Sequence, residues 1–295
     1  MASSLSELIS SAYRVQREEG TCTLLQKLVT RIERQLKIKM AERKDSLELE
    51  CSSTTVVFDT TTPLSKDWFY PRYLDQTLHE PEITKALIES LDSDTVFYDI
   101  GALVGYYTIF ASKICKEGEV HAFELDSHYL TAIQKSLARN GTDAILNHKA
   151  VSYTTGKELG YSGDVGFVSI NKDENTTQTR SVETISLDQY IKNSTYPDIM
   201  KIDIEGFEYN AIKGSEELLR AGYPKKLFLE LHPPRIQTYG GSTQEILSIL
   251  KSHDYECEPI TDHRKNKSGN KAITTNDINE MDNVMIICTK LNSQY

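Results

Sequence analysis

The sequence of 295 residues predicts an α/β fold with a doubly wound, mostly parallel sheet. From Pro81 onward, short apolar runs alternate with amphipathic segments, the pattern of strands joined by crossover helices that cover both faces of a parallel sheet. Acidic residues and glycines directly follow several of these runs. Open α/β sheets hold their ligands beyond the carboxyl ends of the strands, so we expect the functional residues at these positions.

The first part of the chain, residues 1–77, is predicted to be an extension of helices and strands whose role is open. Helical patterns cover Leu5–Gln16 and Leu24–Ala41, and Leu47–Asp59 predicts one or two strands. Lys and Arg residues lie along the second helix, which is either a solvated amphipathic helix or a surface that docks a partner or a membrane. The aromatic run Trp68–Tyr73 either lines a pocket or fills the core.

Residues 78–295 are predicted to form the sheet domain. Its first helix begins at Pro81, because proline suits the first helical turn. Seven strands are predicted, at Thr95–Gly101, Glu119–Leu125, Ala144–Ser152, Asp198–Ile204, Lys225–His232, 256–261 and Asn283–Lys290. Later helices are predicted at Thr108–Cys115, Ser127–Asn140 (capped by Ser127 and ended by Gly141), Leu187–Ile191, Glu208–Ala221 and from the capping box of Ser242 and Glu245 to His253. The polar stretch Tyr153–Ser181 predicts a hairpin or loop excursion.

Charge, cysteine content and the length of apolar segments exclude some classes of protein. The chain has 33 Lys and Arg residues against 43 Asp and Glu, and the resulting formal charge of −10 argues against a nucleic-acid partner. Its five cysteines form no CxxC pair, so we expect free, mostly buried thiols in a reducing compartment. No apolar segment is long enough to span a bilayer and the N-terminus lacks the pattern of a secretory signal, which predicts a soluble, cytoplasmic protein.

The first predicted strand runs into a glycine-containing loop with Asp99, Gly101 and Gly105. Such a loop brings the backbone close to a ligand and opens the next helix as a donor-rich end. The dinucleotide fingerprint has glycine where this chain has Leu103, and Asp99 adds negative charge where phosphate would lie. The loop therefore favours a cationic sulfonium ligand with a free amino group over a pyrophosphate; an ordinary tight turn is the alternative.

The second predicted strand contributes Glu124 near its end. A carboxylate at this point can accept hydrogen bonds from both ribose hydroxyls of an adenosyl group. On its own, a glutamate at a strand end is often only solvated. Together with the loop of the preceding strand, Glu124 indicates a cofactor that contains adenosine.

The fourth and fifth predicted strands carry candidates for catalysis. Asp203 and Glu205 alternate to one face, and Glu230 and His232 repeat the spacing on the next strand. If the strands are neighbours, the four side chains converge, and His232 or Asp203 could remove a proton from an attacking hydroxyl. The alternatives are a structural network satisfied by Lys201 and backbone donors, and a divalent metal site; we expect no metal.

At this point the residues resemble the FkbM family of methyltransferases. The resemblance rests on FYDIGALVGYYTIFA, HAFELD, IMKIDIEGFEYNAIKGSEELL and LFLELHP, with HEPEIT and DIEGFE as the more specific motifs, and extends from about His79 to Lys290. It implies a Rossmann-like class I methyltransferase fold, a seven-stranded sheet with an antiparallel edge hairpin, and S-adenosylmethionine as cofactor. The cofactor-binding residues implied are Asp99, Gly101, Ala102, Gly105, Tyr106, Glu124, Leu125 and Asp203; the predicted catalytic residues are His232, Asp203 and Glu205. Many relatives have proline where this chain has Leu125–Asp126.

The predicted activity is methyl transfer from S-adenosylmethionine to a hydroxyl of a sugar, a glycan or another small metabolite. A nucleobase or amino-group N-methyltransferase is the alternative, disfavoured because no Asn/Asp-Pro-Pro-aromatic box follows the fourth strand. A module that binds S-adenosylmethionine without catalysis and an NAD-dependent enzyme are further alternatives. The N-terminal helices could support a homodimer.

Overall fold

The computed structural model describes residues 21–41, 43–164, 167–170, 180–260 and 278–291. The chain divides into two compact units, Met1–Asp45 and Ser46–Tyr295. In the smaller unit the described helix is α1, Thr21–Ala41, which contains the predicted Leu24–Ala41 helix; the predicted Leu5–Gln16 helix lies outside the described residues. Within the described ranges, no helix combines the length and the apolar character needed to cross a bilayer.

The larger unit opens with a hairpin and a helix. Strands β1 (Ser46–Cys51) and β2 (Thr54–Asp59) pair antiparallel, and helix α2 spans Pro63–Tyr73. The aromatic run of α2 mostly fills the core: Phe69, Tyr70 and Tyr73 are buried, and Phe69 stacks on Phe58 of β2 with ring centroids 4.4 Å apart. Trp68 instead lines a pocket described below.

The remaining elements alternate as the sequence predicts. The helices are α3 (Pro81–Ile88), α4 (Tyr106–Ile114), α5 (Ser127–Asn140), α6 (Leu187–Tyr190), α7 (Glu208–Lys213), α8 (Glu216–Arg220), α9 (Pro233–Thr238) and α10 (Thr243–Ser252). The strands are β3 (Val96–Ile100), β4 (Glu119–Glu124), β5 (Ile145–His148), β6 (Ala150–Val151), β7 (Glu158–Asp164), β8 (Phe167–Ile170), β9 (Arg180–Ile185), β10 (Ile199–Ile202), β11 (Lys226–Leu231), β12 (Tyr255–Ile260) and β13 (Val284–Lys290). A short 3₁₀ turn, Ile191–Asn193, follows α6.

Seven strands form the central sheet in the order β12-β13-β11-β10-β3-β4-β5. Strands β11, β10, β3, β4 and β5 run parallel, while β13 pairs antiparallel with both β11 and β12. Every residue of β3 and β10 is buried, as expected for central strands whose two faces are covered by helices. The predicted Rossmann-like fold, with a mostly parallel sheet and an antiparallel edge hairpin, is confirmed.

A second sheet of four strands, in the order β6-β9-β7-β8, accounts for the predicted excursion after residue 152. The strand predicted over Ala144–Ser152 divides into β5 and β6, because β6 leaves β4 to pair with β9. The helix predicted over Glu208–Ala221 divides at Gly214, where a Cβ would overlap the carbonyl oxygen of Ser152. The N-cap of α5 is Asp126 and not Ser127, since the Asp126 side chain accepts the His128 amide N–H.

The expectation that all cysteines are free thiols is wrong for one pair. Cys257 of β12 and Cys288 of β13 lie opposite each other in the antiparallel register and form a disulfide. Cys51 and Cys115 are free and buried, as expected.

Candidate active site

The loop after β3 is held close to both neighbouring strands. Gly101 has φ +82°, and a Cβ on it would overlap the backbone carbonyl oxygen of Asp203, at the end of β10. The amides of Gly101 and Ala102 both donate to the carbonyl of Phe123 in β4, at 3.0 and 3.1 Å. Only glycine fits this left-handed, crowded position, so the sequence brings the ends of β3, β4 and β10 together here.

Glu124 is the last residue of β4, and its carboxylate is hydrogen-bonded to the same loop. Its Oε2 accepts the Leu103 amide N–H at 2.8 Å and its Oε1 accepts the Asp126 amide N–H at 2.9 Å. Burial raises the pKa of Glu124 to about 7, although these backbone donors oppose the shift. Each carboxylate oxygen has two acceptor sites, so both retain capacity for a ligand hydroxyl.

Asp99 lies at the end of β3 and is buried. Its Oδ2 accepts the hydroxyl of Thr108 in α4 at 2.6 Å, while its Oδ1 has no hydrogen-bond partner among the described residues. Burial raises the pKa of Asp99 despite the nearby Lys201 ammonium. A buried acceptor without a partner is costly in a folded protein and indicates a ligand that donates a hydrogen bond.

Asp203 directly follows β10 and is paired with a cation of the same strand. Lys201 Nζ, which is buried, lies 3.2 Å from Asp203 Oδ2. Burial alone would raise the pKa of Asp203, but the charges of Lys201 and His232 hold it below its usual range. Asp203 is therefore ionised at neutral pH and is a weak base.

Glu205 lies two residues further on, with a left-handed φ of 55° that a non-glycine residue rarely adopts. Its carboxylate pairs with Arg235 of α9. Burial raises the pKa of Glu205, although His232 and Arg235 oppose the shift. Of the two carboxylates, Glu205 is the stronger base.

His232 follows β11 and is surrounded by carboxylates. Its Nδ1 is 2.9 Å from Oε1 of the fully buried Glu208, and its Nε2 is 3.5 Å from Glu205 and 3.8 Å from Glu230. Burial lowers the pKa of His232, but the hydrogen bond to Glu208 and the charges of Glu208, Asp203 and Glu230 outweigh it and raise the pKa to about 9. The predicted convergence of these residues is present, with His232 as an imidazolium at neutral pH.

A cavity of about 1210 Å³, including its open mouth, lies where these strand ends meet. Most of the predicted site residues line it: Asp99, Gly101, Ala102, Tyr106, Glu124, Leu125, Asp203 and Glu205. Two do not. Gly105 is the N-cap residue of α4, and His232 lies beside Glu205 without lining the cavity.

Several lining residues were not among the predicted site residues, although lining a pocket was one of the two roles expected for the Trp68–Tyr73 run. Trp68 comes from α2, and His79 precedes α3; both belong to segments that lie before β3 in the chain. The His79 amide donates to Tyr106 Oη at 3.1 Å, which fixes that tyrosine on the wall. The HEPEIT motif was a signal for His79. The DIEGFE motif was likewise a signal for Phe207. No motif in the sequence points to Lys149 or Leu159.

One group of side chains has ligand atoms close enough to share a metal ion. Single ligand atoms of Asp203, Glu205 and His232 lie within 4.8 Å of one another. Lys201, Arg235 and Glu208 already pair with these three groups in turn. A metal ion would therefore have to compete with Lys201 and Arg235 for the two carboxylates.

Known proteins resemble this chain over its central part. The family model described as the methyltransferase FkbM domain matches residues 99–257. The hexuronic acid methyltransferase AglP of Haloferax volcanii is 23% identical over 150 residues, which are 48% of this chain and 59% of that protein. The present chain thus aligns with little more than half of AglP.

Two solved structures are also similar. Methyltransferase FkbM from Methylobacillus flagellatus is 19% identical, with a TM-score of 0.42, over 67% of this chain and 44% of that chain. Precorrin-6y C5,15-methyltransferase from Geobacter metallireducens is 16% identical, with a TM-score of 0.42, over 73% of this chain and 90% of that chain. Because the match to the family model extends over more than half of the chain, from β3 into β12, the protein belongs to the family of methyltransferases with an FkbM domain.

Proposed function

We propose that this methyltransferase binds S-adenosylmethionine in the cavity and transfers the methyl group to a hydroxyl of a sugar or glycan. The observation that carries the proposal is the meeting of Asp99, Glu124 and Asp203 on the wall of one cavity, at the ends of three adjacent strands. S-adenosylmethionine supplies a methyl group on a positively charged sulfur.

The residues of the cavity fit this cofactor. The Oδ1 of Asp99 is a buried acceptor that has no partner among the described residues, as a ligand amino group requires. Glu124 presents two oxygens with spare acceptor capacity, which suits a ribose diol. Asp203 is ionised, and its charge favours a cationic group nearby. The loop carries Leu103 where a pyrophosphate needs glycine, so NAD fits less well.

We assign deprotonation of the acceptor hydroxyl to the Glu205 carboxylate. His232 is the positively charged group beside that carboxylate. Glu205 lines the cavity, its pKa is raised, and His232 Nε2 lies 3.5 Å behind its Oε2. With an acceptor bound, the Glu205 carboxylate would take up the proton of the attacking hydroxyl, and bound S-adenosylmethionine would supply the methyl group and leave as the neutral thioether. His232 and Arg235 carry positive charges that keep Glu205 in place. Asp203 aligns the cofactor and does not accept the proton, because its pKa is low.

A sugar acceptor is supported by the cavity wall and by the relative. Trp68, Tyr106, Tyr107 and Phe207 line the cavity with aromatic rings, which provide apolar faces for a pyranose. AglP is a hexuronic acid methyltransferase, which supports a carboxylated sugar as the acceptor. We therefore place uronic acid glycosides first among acceptors to test.

The experiment is an acceptor screen with the purified chain and S-adenosylmethionine. Glycosides of hexuronic acids, neutral hexosides and free nucleosides are incubated separately, and mass spectrometry follows the gain of one methyl group and the release of S-adenosylhomocysteine. We expect a methyl gain on a sugar hydroxyl that Glu205→Gln abolishes while cofactor binding persists. Methylation of a nucleoside amine instead, or full activity in Glu205→Gln, contradicts the proposal.

A further inference from the structure

The helix α1 presents an apolar stripe that is exposed to solvent. Val29, Ile32, Leu36 and Met40 are 53, 57, 56 and 71% exposed. At 3.6 residues per turn, these four positions fall within an arc of about 80° on one face. Ile32 and Leu36, with Gln35 and Lys39, also line a shallow surface groove. The stripe is therefore accessible to an apolar surface, as the apolar face of an amphipathic helix is.

The charge of the helix is opposite to that of the whole chain. Between Thr21 and Ala41 the sequence contains five Lys and Arg residues and one Glu, whereas the chain as a whole has a formal charge of −10. Lys37 and Lys39 are exposed and flank the apolar stripe on either side. A partner of the helix thus needs both an apolar layer and negative charge.

We propose that α1 binds the surface of an anionic lipid membrane, with its apolar stripe in the acyl boundary and its cations at the headgroups. Basic amphipathic helices bind in this way, and their lysines extend toward the phosphates while their stems cover apolar surface. The inference rests on α1 alone and does not depend on the proposed methyl transfer.

A second copy of the chain is a poorer occupant of the stripe. Pairing two such helices through the stripe would bring Lys37 and Lys39, which flank it, close to the cations of the partner helix, with Glu33 as the acidic residue that α1 offers against them. A lipid surface with anionic headgroups does not have this disadvantage.

The test is co-sedimentation of the full chain with vesicles. We expect binding to vesicles of phosphatidylcholine mixed with phosphatidylglycerol to be about tenfold stronger than to phosphatidylcholine alone, and to weaken as salt is added. The variant Ile32→Ser with Leu36→Ser should lose most of this binding without any change of charge. Lys37→Gln with Lys39→Gln should weaken binding to the anionic vesicles only. Thr30→Ser, at an exposed position outside the stripe and the groove, is the matched control and should bind as the wild type does.

Two outcomes overturn the proposal. Equal binding of the wild type to both kinds of vesicle removes the role of charge, and full binding by the stripe variant removes the role of the apolar face. Light scattering after size-exclusion chromatography addresses self-association: a dimer that the stripe variant converts to a monomer, without vesicle binding by the wild type, assigns the stripe to a second copy. Thermal unfolding followed by circular dichroism shows that the variants stay folded.

Discussion

The carboxylate of Glu124 and the backbone amide of Leu103 are joined by a hydrogen bond of 2.8 Å. This bond ties the end of β4 to the loop after β3, so the residue proposed to bind ribose also shapes the loop proposed to hold the rest of the cofactor.

Replacing Glu124 should weaken the binding of S-adenosylmethionine. In Glu124→Gln the negative charge and one acceptor oxygen are lost, and we expect the dissociation constant to rise by on the order of tenfold, as for a charge-assisted hydrogen bond. Isothermal titration calorimetry measures it. Glu117→Gln, at an exposed position before the same strand, is the matched control. Unchanged affinity in Glu124→Gln would remove Glu124 from the cofactor site.

Cofactor affinity should also depend on pH through Glu124. Burial raises its pKa to about 7, so the carboxylate is mostly ionised above that pH and mostly protonated below it. Because the ionised form accepts the ribose hydrogen bonds, affinity should fall about tenfold between about pH 8 and about pH 6. Titration calorimetry over this range tests the prediction. The Glu124→Gln variant should lose this part of the dependence; an identical profile in both proteins contradicts the assignment.

Gly101→Ala should destabilise the domain more than an ordinary glycine replacement does. The new Cβ would overlap the carbonyl oxygen of Asp203, in addition to the cost of a left-handed φ. We expect a loss of about 3 kcal/mol in the free energy of unfolding, measured by urea denaturation. Gly156→Ala is the matched control, since Gly156 has φ +73° with open space around it, and should lose about 1 kcal/mol. Equal losses would show that the Asp203 backbone can move away.

Glu208 should act on the rate of methyl transfer through His232. Its Oε1 is 2.9 Å from both His232 Nδ1 and the Gly206 amide nitrogen, so Glu208 orients the imidazolium and the turn that carries Glu205. We expect Glu208→Gln to lower kcat by on the order of tenfold to a hundredfold while the dissociation constant of S-adenosylmethionine stays unchanged. Steady-state kinetics and calorimetry give the two readouts. Glu217→Gln, exposed on the next helix, is the control. A loss of cofactor affinity equal to the loss of rate would indicate a merely structural role.

Much of the fold, and the cavity lining that comes from the ends of β3, β4 and β10, could be predicted from sequence. Continuous apolar runs mark these strands because both of their faces are buried, and residues at their carboxyl ends, Asp99 and Glu124 among them, line the cavity. The lining that comes from earlier segments of the chain was harder to predict. Trp68 and His79 reach the cavity only through tertiary packing, which periodicity does not encode.

The position of His232 is a second feature that depends on tertiary packing and not on the sequence pattern. The spacing of Glu230 and His232 predicts that both lie near Asp203, which the structure shows. It does not predict that Glu205 lines the cavity while His232, 3.5 Å from it, does not. Its orienting partner, Glu208, lies in the first turn of a helix, where an acidic residue is commonly a favourable end charge. Only the packed structure shows that this carboxylate is fully buried against the imidazole.

The most direct test of the account is calorimetric titration of the wild-type chain with S-adenosylmethionine and, separately, with NAD. We expect S-adenosylmethionine to bind at one site per chain and NAD to give no binding heat. Asp99→Asn and Glu124→Gln should each weaken the binding of S-adenosylmethionine. Binding of NAD without S-adenosylmethionine, or full cofactor affinity in both variants, would contradict it.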